Sequence, residues 1–121
     1  VAESAAGNRG RAAEEAACGF LEERGLRPVA RNFRCRQGEI DLVMAEGRTL
    51  VFVEVRYRRD IRFGSAAESV NGRKQRRIIT AAQYYLQQNP GASKQPCRFD
   101  VVALGGQGEA VEWIKNAFDL S

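Results

Sequence analysis

The sequence predicts an α/β fold in which a small mixed β-sheet lies between two helices. Two stretches, residues 8–24 and 72–88, carry apolar residues at helical spacing, and β-rich runs fall between and after them. One of those runs, residues 49–57, is apolar on both faces, as suits a central strand covered on both sides. The order helix, strands, helix, strands therefore calls for a layered sandwich around a mixed sheet.

The first helix rests on Ala13, Ala16, Ala17, Phe20 and Leu21, which form one stripe, with Gly25 as its stop. Glu15 points away from that stripe, whereas Glu14 lies at its edge and is positioned to look into a cleft. Gly19 costs about 1 kcal/mol against alanine inside a helix and is read as a close packing contact. Residues 29–35 form a short extended segment. Residues 38–45 and 49–57 then flank a Glu46-Gly47-Arg48 turn and read as a hairpin. In its second strand Leu50, Phe52, Glu54 and Arg56 share one face, and Val51, Val53, Val55 and Tyr57 the other. Residues 61–68 read as a loop with Gly64 as a hinge. The second helix follows, capped by Ser69 or Asn71 and ended by Asn89-Pro90-Gly91, with Ile78, Ile79, Ala82, Tyr85 and Leu86 inward. Residues 98–104 form a further core strand, Gly105-Gly106-Gln107-Gly108 a turn, and residues 110–114 a last strand. Tyr84, Tyr85 and Trp113 read as core or rim rather than as platforms for stacking bases.

Composition narrows the chemistry. A chain of 121 residues has room for one packed core, so residues 5–121 are read as a single domain and 1–4 as a frayed start. The first residue is not Met, which reads as a trimmed N-terminus. With 44% hydrophobic and 28% charged residues the chain belongs with globular rather than disordered sequences. No apolar run approaches the ~20 residues that cross a bilayer, and the start lacks a signal-peptide layout, so no membrane association is expected. Cys18, Cys35 and Cys97 are odd in number and far apart. That spacing excludes a disulfide framework and a CxxC zinc site and suits a reducing cytoplasm. Histidine is absent, which removes Ser-His and Cys-His nucleophiles and His-ligated metals. Carboxylates, Lys, Tyr, Cys and a hard metal remain.

The net charge of +4 is modest, but its cations are lysine only at Lys74, Lys94 and Lys115. The arginines cluster. Arg24, Arg27, Arg31, Arg34 and Arg36 follow one another without an acid between, Arg56, Arg58, Arg59 and Arg62 form a second group, and Arg73, Arg76 and Arg77 surround Lys74. Guanidinium forks match phosphate oxygens, so Arg34, Arg36, Arg58, Arg59, Arg73, Arg76 and Arg77 are candidate contacts to a nucleic-acid backbone. A solvated arginine-rich surface is the plainer alternative.

Glu54 is the most informative residue. It interrupts an apolar run inside a strand that should be buried, where an ionised carboxylate is costly unless paired, hydrogen-bonded or bound to metal. Asp41 interrupts the neighbouring strand in the same way. A turn centred on Gly47-Arg48 sets Asp41 and Glu54 opposite each other. Their repulsion is relieved by a divalent cation such as Mg²⁺ or Mn²⁺, or alternatively by arginines or by protonation of one acid. Glu39 is either a further ligand or an exposed strand end. Lys74 falls on the apolar side of the second helix, while Arg73, Arg76 and Arg77 point to solvent. It either meets an anion or lays its stem over the core and pairs with Glu68.

The segments Gly38-Glu39-Ile40-Asp41-Leu42 and Val51-Phe52-Val53-Glu54-Val55-Arg56-Tyr57-Arg58 resemble the bacterial YraN family. So do Glu14 with Ala17 and Leu21, Arg31-Asn32-Phe33-Arg34, Phe63-Gly64, Lys74 with Arg77-Ile78, Arg98-Phe99-Asp100-Val101-Val102 and Asn116-Ala117-Phe118. The resemblance implies the restriction-endonuclease-like fold, whose PD-(D/E)xK superfamily includes archaeal Holliday-junction resolvases. Carried over by position, it implies that Asp41 and Glu54 bind Mg²⁺ or Mn²⁺, that Arg56 stands at the motif's lysine, and that Glu14 is the assisting acid of the first helix. Arg56 is a departure: arginine stays protonated and cannot act as a general base, although it can hold phosphate or stabilise transition-state charge. Lys74 is the candidate to supply the missing ammonium. The expectation is a metal-dependent endonuclease acting on DNA, including branched or recombining DNA, as a homodimer where paired strands are cut. The alternatives are a nucleic-acid-binding module of the same fold without catalysis and a partner-binding scaffold.

Overall fold

The computed structural model describes residues 5–58, 70–105 and 110–119. Chain order is α1 (Ala5–Glu23), β1 (Arg27–Cys35), β2 (Gly38–Glu46), β3 (Thr49–Arg58), α2 (Gly72–Gln88), a 3₁₀ turn (Ala92–Lys94), β4 (Cys97–Gly105) and β5 (Ala110–Phe118). The strands form one sheet in sequence order, with β3 and β4 parallel and every other neighbouring pair antiparallel. A five-stranded mixed sheet flanked by two helices is the predicted α/β class and is consistent with a restriction-endonuclease-like core.

The two faces of β3 divide the core. Leu50 and Phe52 pack with Ile78, Ala82, Tyr85 and Phe99 under α2. Val51 and Val53 pack with Leu42, Met44, Val102 and with Ala17 and Leu21 of α1. Each such Leu, Ile, Val, Met or Phe side chain, fully removed from water, contributes about 1.5–3 kcal/mol, so β2, β3 and β4 are the rigid frame of the molecule. The end of α1 is closed by Leu26 N–H donating to Leu21 O and Gly25 N–H to Glu22 O, with Gly25 at φ +96°. This left-handed turn is why glycine stands there. Of the two candidate caps of α2, Asn71 is the one observed: its Oδ1 accepts the Lys74 N–H at 3.0 Å. Ser69, Gly64 and Glu68 lie outside the described residues, as do Arg59, Arg62, Phe63 and Gly106-Gln107-Gly108.

Several expected boundaries shift. Helix α1 begins at Ala5 rather than residue 8, because its alanine-rich start favours the helix. Strand β1 begins at Arg27, two residues early, by pairing with β2. Strand β5 runs to Phe118 instead of ending at residue 114. It is an edge strand, so one apolar face suffices, and Phe118 stacks on Phe99 with ring centroids 4.9 Å apart. Gly19 marks no close contact, since a Cβ there would meet nothing within 4 Å. Tyr85 is core, Trp113 is half-buried and Tyr84 is exposed. Among the described residues no helix is long and apolar enough to cross a membrane.

Candidate active site

The site begins with the hairpin. Strands β2 and β3 pair from Glu46 with Thr49 to Leu42 with Val53, across a Gly47-Arg48 turn in which Gly47 takes φ +60°. One step further along this register, Asp41 stands beside Glu54. The regular ladder stops there. Ile40 belongs to the α2 layer and Leu42 to the α1 layer, so β2 loses its period-two alternation at Asp41. On β1 the residue between the Arg31–Leu42 and Phe33–Ile40 pairs is Asn32, which takes φ +51°. Asparagine tolerates that left-handed conformation better than most residues. The freed Val55 N–H donates to Asp41 Oδ2 at 2.8 Å instead of to a backbone carbonyl of β2.

Glu54 is 6% exposed, one of two buried charged residues among those described. Its Oε2 lies 2.8 Å from Lys74 Nζ and 3.5 Å from an Arg56 guanidinium nitrogen. Lys74 thus reaches across from α2 to the acid of β3. Asp41 lies within hydrogen-bonding reach of Glu54, and a proton on Asp41 is held between the two carboxyls. Burial, the charge of Glu54 and this hydrogen bond push Asp41 up to about 8, against the opposing pull of the Val55 N–H. Glu14, half-buried on α1, is also raised above the usual carboxylate range, first by burial, while a hydrogen bond to Asn32 holds it down.

These groups open onto one cleft of about 680 Å³, lined by Glu14, Glu39, Asp41 and Glu54 on the acidic side and by Arg73, Lys74 and Arg77 on the basic side. The structure therefore brings together Glu14, Asp41, Glu54 and Lys74, with Arg56 against Glu54. Arg73, Arg76 and Arg77 are exposed, as expected, but Arg73 and Arg77 also line the cleft rather than only facing bulk solvent. Glu39 is exposed and paired to Arg34 at 3.1 Å. Arg34, Arg36 and Arg77 meet around a smaller notch at the β1–β2 turn. Arg58 ends β3.

The donor set matches a hard cation in part. Among the described residues no three acidic, thiol or imidazole groups form a complete metal cage. Two adjacent carboxylates are nevertheless the kind of set that Mg²⁺ uses once both are ionised, since it retains several waters and takes further oxygens from phosphate. Asp41 and Glu54 are the residues that would hold it.

Sequence reasoning missed two contributors. Asn32 bonds to Glu14, a role that its place in the Arg31-Asn32-Phe33-Arg34 segment did not reveal. The other is Asp100, fully buried on β4. It accepts hydrogen bonds from Arg98 Nε (3.0 Å), Trp113 Nε1 (3.0 Å) and Asn116 N–H (2.9 Å), and so ties β5 to the central frame.

Comparison with known proteins gives the family of the chain. The model of the uncharacterised protein family UPF0102 matches residues 13–104, the span that holds Glu14, Asp41, Glu54, Arg56 and Lys74. The chain is 54% identical over 113 residues to a UPF0102 protein of Pseudomonas entomophila strain L48, covering 91% of this chain and 92% of the relative. It is 50% identical over 113 residues to one of Nitrosococcus oceani, with 92% and 91% covered. It is 54% identical over 112 residues to one of Stutzerimonas stutzeri strain A1501, with 91% and 93% covered. With a family match over most of its length and half-identical relatives of its own size, the chain belongs to the uncharacterised protein family UPF0102, the YraN family.

Proposed function

We propose that this protein is a divalent-metal-dependent nuclease that hydrolyses phosphodiester bonds in DNA, branched DNA included. The observation that carries the reading is the juxtaposition of Asp41 and Glu54 with the Lys74 ammonium 2.8 Å from Glu54. Two carboxylates on adjacent inner strands and an ammonium from the helix beside them are the parts needed to hold a cation and a phosphate together. A divalent ion on Asp41 and Glu54 would supply Lewis-acid charge to a phosphodiester oxygen.

The chain's own residues divide the remaining work. Lys74 Nζ, held beside the buried Glu54, is placed to donate to a phosphoryl oxygen as negative charge develops. Arg56 keeps its charge at every working pH and so serves Glu54 and phosphate, not proton transfer. Glu14, with its proton affinity raised by burial, is the group suited to accept a proton from an attacking water. Arg73 and Arg77 neutralise the backbone of the substrate along the cleft rim.

Arg56 is also the observation that favours the second reading, a nucleic-acid-binding module without chemistry. One experiment separates the two. The protein is incubated with single-stranded, duplex and four-way-junction DNA in Mg²⁺, Mn²⁺ or chelator, beside Asp41→Asn and Glu54→Gln. Cleavage by the wild type alone, lost in chelator, supports the nuclease. Tight binding with no cleavage of any form in Mn²⁺ makes it a binding module.

A further inference from the structure

We propose that the notch at the β1–β2 turn is a phosphate subsite, which holds a phosphate of the substrate strand next to the one bound in the acidic cleft. This deepens the nuclease reading and rests on it. The two concavities are contiguous, because Arg77 and Glu39 line both. Their charges differ in kind. In the cleft four carboxyls face three cations, a balance that suits a metal ion. In the notch the guanidiniums of Arg34, Arg36 and Arg77 face the single carboxylate of Glu39, a balance that suits an anion. A ligand that satisfies both ends at once is a run of phosphodiesters with a cation at one phosphate.

The notch is built rather than incidental. The two-residue turn Arg36-Gln37 is held against α2 by Arg77 Nε, which donates to Gln37 O at 3.3 Å. Gly38 lets the two backbones touch, since a Cβ there would stand 2.6 Å from Arg77 O. Arg34 donates its Nε to Glu39, which leaves the two terminal amino groups of its fork for another acceptor. Arg36 has no acidic partner among the described residues. A guanidinium fork oriented beforehand loses less freedom on meeting phosphate than a free side chain does. The bound strand would then run from the mouth between α1 and α2 to the β1–β2 turn, crossing at Gly38 and Arg77.

The bound group is either an internal phosphodiester or a terminal 5′-phosphate, and the test distinguishes them. Fluorescence anisotropy of 3′-labelled oligonucleotides, single-stranded and duplex, with and without a 5′-phosphate, is followed across a salt series in chelator. Affinity is then read without cleavage. Arg36→Gln and the double variant Arg34→Gln/Arg36→Gln are compared with wild type and with Lys94→Gln, an exposed cation remote from both concavities. Loss of one phosphate contact should lower the slope of log affinity against log salt by about 0.7 on single strands and about 0.9 on duplex, and Lys94→Gln should leave it unchanged. A loss confined to 5′-phosphorylated strands assigns the notch to a chain end, and an equal loss on both assigns it to an internal phosphate. Unchanged slopes in both arginine variants, with wild type binding in a salt-dependent way, overturn the subsite and leave the nuclease reading standing. No salt-dependent binding by the wild type overturns that reading itself and the subsite with it.

Discussion

Asp41→Asn should make the protein more stable at neutral and alkaline pH while removing metal-dependent cleavage. In the folded chain Asp41 titrates at about 8 against an ordinary value of 3.8. Between those values the native state keeps a proton that the unfolded chain has released, so rising pH pulls the equilibrium toward unfolding. The stability is intact below about pH 4, declines through the interval, and reaches its full deficit above about pH 8. Four pKa units at about 1.4 kcal/mol each set a ceiling of roughly 5–6 kcal/mol. The Glu54 charge that crowds Asp41 is partly met by Lys74 and Arg56, so about 2–3 kcal/mol is the expected gain. Asparagine retains an oxygen to accept the Val55 N–H and an amide to donate to Glu54, so the exchange removes charge while keeping both hydrogen bonds. At roughly 4 °C per kcal/mol for a domain of this size, the variant should melt about 8–12 °C above wild type near pH 9 and level with it near pH 4. Thermal melts by circular dichroism in chelator measure this. A variant less stable than wild type at alkaline pH, or a gap that does not change with pH, would refute the strained-acid account of the site.

Mg²⁺ or Mn²⁺ should raise the melting temperature of wild type at about pH 8–9 far more than near pH 5, because only the deprotonated pair is a ligand, and should do nothing for Glu54→Ala; equal shifts in both proteins would place the ion elsewhere. Lys74→Met should lower cleavage by about 10²-fold or more with little change in DNA affinity, the pattern of a contact made only in the transition state, whereas Arg56→Lys should cleave as well as wild type or faster. Single-turnover kinetics beside equilibrium binding distinguish this from a lysine that only covers the core, which would leave the rate intact. Asp100→Ala should cost about 3–5 kcal/mol, since it leaves the Arg98 guanidinium and the Trp113 and Asn116 N–H groups without their buried acceptor. Urea denaturation should show the midpoint falling with no change in m, and a loss under 1 kcal/mol would mean that Glu46 alone satisfies Arg98.

The legible parts of the site were those carried by local pattern. Glu54 announced itself because an acid breaks an otherwise apolar strand, and Asp41 because counting back from the Gly47-Arg48 turn set it opposite. Glu14 stood at the edge of a helical stripe whose buried members, Ala13, Ala17 and Leu21, were also readable. Lys74 was only half legible. Helical spacing turned it toward the apolar side, but nothing in that spacing distinguished Glu54 from Glu68 as its partner. The double role of Arg77 was hidden for a similar reason, since it depends on how closely α2 lies against Gly38. Asp100 gave no signal of burial beyond its place in a β-rich run, because its partners are scattered from Glu46-bound Arg98 to Asn116.

What the sequence determined by itself is the set of elements, the two-sided burial of β3, and the pairing of its hairpin with β2. Each depends on interactions within a turn or along one strand, where a residue's neighbours are set by covalent proximity and by the helix and strand periods. What only the tertiary structure decided is which cation meets which acid. The Lys74–Glu54 contact spans the β3–α2 connection, the Arg98–Glu46 bond joins residues 52 positions apart, and Asn32 reaches Glu14 because β1 breaks its alternation opposite Asp41. Such pairs form only after the sheet has assembled and, for Lys74 and Glu14, after α2 and α1 have docked on its opposite faces. The docking is driven by the non-directional burial of apolar surface, which does not record which charged side chains it will bring together.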